Sequence, residues 1–408
     1  MSLADRTIPT PEEFDAYKER FSNWGRWGED DQLGTLNHIS EDVRQQAAGL
    51  VQTGRSVSCA RPLATEQVLS GRRNESPADH RMNIGGMGSS DYIGVSYHGF
   101  ANTHIDALCH IFTADGRLYN GRPKSDVTED GALNNSVDFW RHGIVTRGVL
   151  YDVTRHRGVD HVSFDEPVHG WELADVADAE GVQPGSGDAV LVRCGATEFW
   201  TANPDFEPVW KAPGLHASTL EFLYETDAAL LGWDLMEAPE QDQYKAPAMP
   251  IHSTAIPYMG LPLLDNADFD ELATACAELR RWEFQLVIAP LYVKGGTGSP
   301  VNPIAIFYAR GTASRNVVCV KLSGVAKAKE ITQFFDIDPG FCWRQGHRRY
   351  SKTLDPYPAS YYRCASHYGA ILCLAGGEQH EPTYTENATV RRVGGSDLRD
   401  RRRRLLGR

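Results

Sequence analysis

The repeated switch between two hydrophobic periods most narrows what this 408-residue chain can fold into. Six short β-rich runs stand at Ser56–Ala60, Tyr92–Tyr97, Gly148–Val153, Ala189–Arg193, Ala228–Gly232 and Phe284–Val293. Helical patterns lie between several of them, at Trp171–Ala179, Ala217–Glu225 and Asp268–Trp282. In the last, Leu272, Cys276, Leu279 and Trp282 recur at helical spacing and give one apolar face to bury. Strands interleaved with helices predict an α/β or mixed α+β domain.

Two further helices are predicted upstream. Thr10 is an N-cap, Pro11 fits the first helical position and Glu13 completes a capping box. Ser40 opens a second helix through EDVRQQAAGLV that stops near Gly54. The intervening NWGRWGEDDQLGTLN reads as an ordered loop, either packed on the surface or acting as a lid over a site. No internal repeat is present.

A composition with 41% apolar residues supplies a sizeable core. The net charge of −13 argues against nucleic acid and anionic membranes as partners. The start of the chain has no apolar stretch behind a basic segment, and no run of about 18 apolar residues follows, so neither a signal peptide nor a membrane span is expected. Eight cysteines without a CxxC pair read as reduced thiols, which fits a cytoplasmic protein. The charge is uneven. Residues 1–310 hold 24 basic and 45 acidic groups, whereas 311–408 hold 17 and 9 and finish in RDRRRRLLGR. The expected organisation is one domain over 1–310 and a basic C-terminal extension over 311–408.

His98–Phe112 reads HGFANTHIDALCHIF. If Thr103–Asp106 is extended, His104 and Asp106 share a face, an imidazole beside a carboxylate, which suits a divalent metal. His110 reaches the same place if the chain turns after Ala107, and His98 needs a turn through Gly99. The bland alternative is a pair of core histidines satisfied by Asp106 and backbone. His252 and Asp265 have the right chemistry to close a metal shell, though Asp265 also reads as a cap or turn residue before the helix that follows. Other motifs fail. Gly94–His98 puts His98 where a nucleophile elbow needs glycine, and GGTGSPVNP at 295–303 lacks the lysine of a P-loop and reads as a tight turn between strands.

These stretches, with RGVLYDV, PGSGDAVLVRCG, LLGWD, GLPLLDN and APLYVKGGTGSPVNPIAIF, run in one order over about residues 20–309. In them the chain resembles the cyclase / bacterial kynurenine formamidase-like family of metal-dependent hydrolases, in its longer branch. The resemblance implies a swivelling β/β/α-type fold of layered sheets and outer helices. It implies one or two divalent ions, zinc or manganese, and hydrolysis of an amide, formamide, lactam or ester-like carbonyl of a small molecule. His104 and Asp106 match metal ligands, with Asp106 in a position that can bridge two ions. His252 matches a later ligand, Asp265 matches a carboxylate that is glutamate in the formamidases, and His110 matches the acid/base histidine. The likeness also implies a homo-oligomer, a dimer or tetramer.

The chain departs from the pattern in two places. Phe100 stands where the formamidases keep a further histidine, so His98 or Asn102 is the expected substitute ligand. Leu108 replaces a proline. Two rival readings follow from the same residues, a non-catalytic small-molecule-binding protein on a decayed hydrolase scaffold and a cyclase of a polyketide-like substrate.

Overall fold

The computed structural model describes residues 3–51, 54–66, 77–204, 206, 212–238 and 249–307, with the backbone of 363–367 and 370–374. The chain separates into two units, Met1–Ala309 and Arg310–Arg408. In the second, Arg363–His367 and Ala370–Leu374 form an antiparallel pair. The other features read from the sequence of 311–408 lie outside the described residues.

The strands of three or more residues in the first unit are β1 (Arg55–Ser58), β2 (Asp79–Ile84), β3 (Ser89–Gly94), β4 (His104–Asp106), β5 (Ile144–Asp152) and β6 (Ala189–Arg193). They continue as β7 (Leu230–Trp233), β8 (Leu263–Asp265), β9 (Glu283–Ile288), β10 (Gly298–Pro300) and β11 (Ile304–Phe307). Nine of them build one sheet in the order β1-β11-β9-β5-β6-β7-β8-β4-β10. Its centre, β5-β6-β7-β8, is parallel. The flanking strands pair antiparallel on both sides. The expected mixed α/β class is what the chain adopts. Parallel central strands buried on both faces need unbroken apolar runs, and Ala189–Val192 and Leu230–Trp233 supply them. The sheet curls, because Ala60, just past β1, bridges to Ala267, just past β8.

The helices are α1 (Pro11–Arg20), α2 (Glu41–Gly49), α3 (Val153–Arg157), α4 (Gly170–Glu180), α5 (Ala196–Ala202), α6 (Thr219–Glu225), α7 (Pro250–Thr254) and α8 (Asp270–Leu279). The Thr10 capping box forms in full, and Ser40 caps α2 through the Val43 N–H. Helices α2, α4 and α8 pack on β5. Leu272 and Cys276 of α8 are fully buried, as the helical spacing predicted. Among the described residues no helix is long and apolar enough to cross a membrane. The four described cysteines, 59, 109, 194 and 276, are free and buried.

The glycine-rich loop after α1 is a packed brace rather than a lid. Asn23 donates to the Met259 carbonyl and Trp24 Nε1 donates to that of Pro257. Both acceptors lie in the π-helical turn Ala255–Met259, which continues α7. Gly260 ends that turn at a φ of +66°, where a Cβ would strike Tyr119. Its carbonyl accepts from the Thr35 N–H, so the GTLN segment is tied to the same turn.

The structure corrects three sequence readings. Residues 298–300 are not part of a tight turn but form strand β10, paired with β4. The run Phe284–Val293 stops at Ile288, because Pro290 has no N–H to give a ladder. The run Tyr92–Tyr97 is not a core strand. Its residues through Gly94 belong to β3, which among the described residues pairs only with β2 in an exposed hairpin.

Candidate metal centre

Strand β4 lies between β8 and β10, and its pleat turns His104 and Asp106 to one face. Asp265 stands directly opposite His104 across the β8 ladder, so its carboxylate joins that face. It is a strand residue, and the N-cap of α8 is Phe269, which removes the reading of Asp265 as a helix cap. Across the β10 ladder Asp106 faces Gly298. A Cβ there would meet the Ile105 carbonyl at 2.4 Å and the His98 ring at 3.2 Å, so glycine makes the room that His98 occupies.

The two turns on which the sequence argument depended both form. Gly99 takes a φ of +119° and reverses the chain after His98. The His110 N–H bonds back to the Ala107 carbonyl. His98 Nδ1 consequently lies 2.9 Å from Asp106 Oδ1, and His104 Nε2 lies 3.4 Å from the same oxygen. His110 Nε2 and His252 Nε2 each lie 3.8 Å from Asp106 Oδ2. His252 Nε2 is also 3.4 Å from Asp265 Oδ2, and His104 Nε2 is 3.9 Å from it. All six residues singled out from the sequence therefore meet. Two overlapping groups share Asp106: His98, Asp106 and His110 form one, and His104, Asp106 and Asp265 the other.

His98 faces Asp106, whereas Asn102 does not join the cluster. Asn102 is spent on backbone, since its Oδ1 accepts from the Ala64 N–H and its Nδ2 donates to the Ser96 carbonyl. Phe100 is buried and forms part of the wall of a cavity of about 250 Å³. Met236 and Met249 line the same cavity, so its walls are largely apolar around the polar floor.

Hydrogen-bond directions show what the cluster lacks. His104 Nδ1 lies 2.9 Å from the Asn102 carbonyl, which can only accept, so Nδ1 carries the proton. In its neutral form the ring would turn an Nε2 lone pair toward Asp106 and Asp265. His252 repeats this arrangement, with Nδ1 held by the buried Glu237 carboxylate and Nε2 facing Asp265. Asp106 is 1% exposed, yet neither of its oxygens accepts a well-directed hydrogen bond. Lone pairs and carboxylates converging in a dry site repel unless positive charge stands among them.

The titration behaviour makes the same demand. Burial works against charged His104, but Asp106 and Asp265 outweigh it and raise its pKa. Burial likewise opposes the His252 imidazolium, and Glu237 with Asp265 carries its pKa well above the ordinary value. Burial alone would raise Asp106, yet His110, His104 and His98 hold it well below the usual carboxylate range. His110 differs from the others. Burial pushes it down to about 4, with the neighbouring histidines adding to the fall and Asp106 opposing it. Its ring stacks on that of His98 at 3.8 Å, nearly parallel.

Sequence reasoning missed the residues that aim these donors. Glu237, on the short strand Met236–Glu237, accepts from the His252 ring and from the Ile251 and His252 N–H groups. Trp233 Nε1 donates to Asp265 Oδ1 at 2.6 Å, and Thr297 Oγ1 meets His98 Nε2 at 3.0 Å. Asn266, at a φ of +52°, donates to the Gly99 and Asn102 carbonyls and fixes the turn between His98 and His104. The available signal for Glu237 was an acid inside the apolar stretch LLGWDLMEA. Partners of this kind set the tautomer and basicity of a ligating histidine, and losing them weakens metal binding about 10–100-fold. Glu237→Gln is therefore expected to weaken divalent-metal binding to that extent in a competition titration, with helix content unchanged.

Sheet, helices and cluster together define an α/β protein carrying a buried histidine–carboxylate site of metal-binding composition. Residues 34–238 match the family described as "Putative cyclase", and the chain belongs to this Cyclase family. A solved structure of a novel cyclase is similar over 71% of this chain and 98% of its own, at 27% identity and a TM-score of 0.62. Isatin hydrolase A from Labrenzia aggregata, bound to benzyl benzoate, is 20% identical over 66% of this chain and 98% of its own, with a TM-score of 0.45. An isatin hydrolase bound to the product analogue thioisatinate is 17% identical over 63% of this chain and 93% of its own, also at 0.45. No curated protein matches.

Proposed function

We propose that the chain is a metal-dependent hydrolase acting on an amide, formamide, lactam or ester-like carbonyl of a small molecule. One observation carries this reading: the buried carboxylate of Asp106, without a well-directed hydrogen bond, is ringed by four imidazoles. His98, His104, Asp106, His252 and Asp265 would hold the ion. Their nitrogen and oxygen donors suit zinc or manganese, and two carboxylates balance the charge of one divalent cation. A bound divalent ion supplies Lewis acidity and lowers the pKa of water toward neutrality.

His110 does the proton work. Its depressed pKa leaves the ring unprotonated at neutral pH, so it can take a proton from water and hand it to the leaving nitrogen or oxygen. Its stack on His98 fixes the plane of the ring. The apolar wall of Phe100, Met236 and Met249 favours an uncharged group beside the scissile carbonyl and limits competing solvent.

A second reading, ring closure within one substrate, is favoured by the cyclase description of the family and of the structural relative. The test for both is metal content by elemental analysis, then a panel of aryl amides, formamides, lactams and lactones in oxygen-labelled water. Hydrolysis places label in the product, whereas cyclisation places none. A chain that binds no divalent metal overturns the proposal, and one that binds metal and a ligand without turnover supports the binding-protein reading.

A further inference from the structure

Tyr97, Thr297 and His98 form a hydrogen-bonded chain at the edge of the cluster, and the direction of each bond follows from its far end. The Tyr97 hydroxyl lies 2.9 Å from the Gly298 carbonyl, which only accepts, so Tyr97 donates its single proton there. The Thr297 side chain hydrogen-bonds to the same phenol. The phenol oxygen has only acceptor capacity left, so the Thr297 hydroxyl is the donor. Thr297 Oγ1 also lies 3.0 Å from His98 Nε2. With its own proton already given, it accepts there, and the proton between them belongs to His98 Nε2. A neutral His98 ring then keeps its lone pair on Nδ1.

Nδ1 is the atom turned toward the cluster. It is buried and 2.9 Å from Asp106 Oδ1, yet no well-directed hydrogen bond joins the two. His104 and His252 are arranged the other way round, with Nδ1 on an acceptor and Nε2 facing the carboxylates. The backbone holds the chain of hydroxyls in place. The Thr297 carbonyl accepts from the N–H of Ala107, one residue past Asp106. A Cβ at Gly298 would come within 3.2 Å of both the Tyr97 and His98 rings, so glycine lets the two lie side by side.

We propose, resting on the metal-dependent reading above, that Thr297 and Tyr97 are positioning residues that fix His98 as its Nε2-protonated tautomer. His98 thereby offers a divalent ion its Nδ1, where His104 and His252 offer Nε2. The requirement is a hydroxyl at 297 whose proton is drawn away from the imidazole. Valine there has nearly the same shape but accepts nothing, whereas serine keeps the hydroxyl. Phenylalanine at 97 frees the Thr297 proton to turn toward Nε2 and favour the opposite tautomer. The relay also steadies the face on which His110 lies, because the two rings stack at 3.8 Å.

Nitrogen-15 NMR of the metal-free chain, labelled at histidine and assigned with His98→Gln, reads the tautomer directly. At a pH about two units above the ordinary histidine value the ring is neutral. Wild type is expected to show His98 protonated at Nε2. Thr297→Val and Tyr97→Phe are expected to move that signal toward the Nδ1-protonated form, and Thr297→Ser to keep the wild-type signal. In a competition titration with zinc, the valine and phenylalanine variants are expected to bind about 10–100-fold more weakly, and the serine variant to stay near wild type. His98 protonated at Nδ1 in the wild type overturns the proposal. So does a valine variant with wild-type tautomer and affinity, or a serine variant as weak as valine. A wild type that shows the expected tautomer but binds no zinc defeats the metal-dependent reading instead.

Discussion

Asp106→Asn is expected to leave the protein unable to retain a divalent metal and to lower kcat/KM for any substrate it turns over by at least about 100-fold. The carboxylate is the group shared by both halves of the cluster, and four imidazole nitrogens lie 2.9–3.8 Å from it. Asparagine has nearly the same shape but removes one of the two negative charges opposing a cation. Its amide nitrogen would also take one of the two oxygen positions. Loss of a hydrogen-bonding partner of a ligand already costs about 10–100-fold in metal affinity, so loss of the central carboxylate costs at least the upper end. Elemental analysis reads the metal directly. Thermal unfolding gives an independent readout, since metal at about 100 times its Kd adds roughly 2.7 kcal/mol to the wild type. The variant is expected to show no shift on metal addition, and a wild-type shift would remove Asp106 from the ligand set.

His110→Ala is expected to separate chemistry from binding. Metal content should stay at the wild-type level, while kcat falls by about 10²–10⁴, the usual worth of a positioned acid or base. In the proposed role His110 acts in its unprotonated form, so activity is expected above its pKa and is expected to be lost as pH falls through it. Burial sets that pKa at about 4, and a bound cation pushes in the same direction. The acid limb of kcat/KM is therefore expected at or below about pH 4, absent in the alanine variant and partly restored at neutral pH by added imidazole. An unchanged kcat would assign the proton transfer to another group.

The sequence reading succeeded where one local rule decides the outcome. The caps at Thr10 and Ser40 satisfy N–H groups a few residues away, and His104 with Asp106 share a face because strand pleating has a period of two. The turns that bring His98 and His110 to that face lie in the same short stretch, but bringing His252 and Asp265 there required a helix and a ladder partner that no short window contains. The resemblance stood in for that missing information. Strand β10 was hidden by its Gly-Ser-Pro sequence, which has turn chemistry but sits against β4 because Gly298 clears space for a side chain from another segment. The hairpin partner β2 was hidden because Asp79–Ile84 has too few apolar residues to read as a strand. Glu237 and Trp233 act through contacts formed only once β7 and α7 are in place.

The π-helical turn at Ala255–Met259 limits how the gene can change. A π turn is an α-helix with one residue added, and each residue of helix advances the chain by ~100°. Deleting a single codon there would leave a passable helix yet swing His252 and the strand bearing Asp265 out of phase. Insertions at the Gly85–Gly88 hairpin tip meet no such restriction. Length variation among descendants of this chain is therefore expected to accumulate at the tip and to be purged between His252 and Asp265.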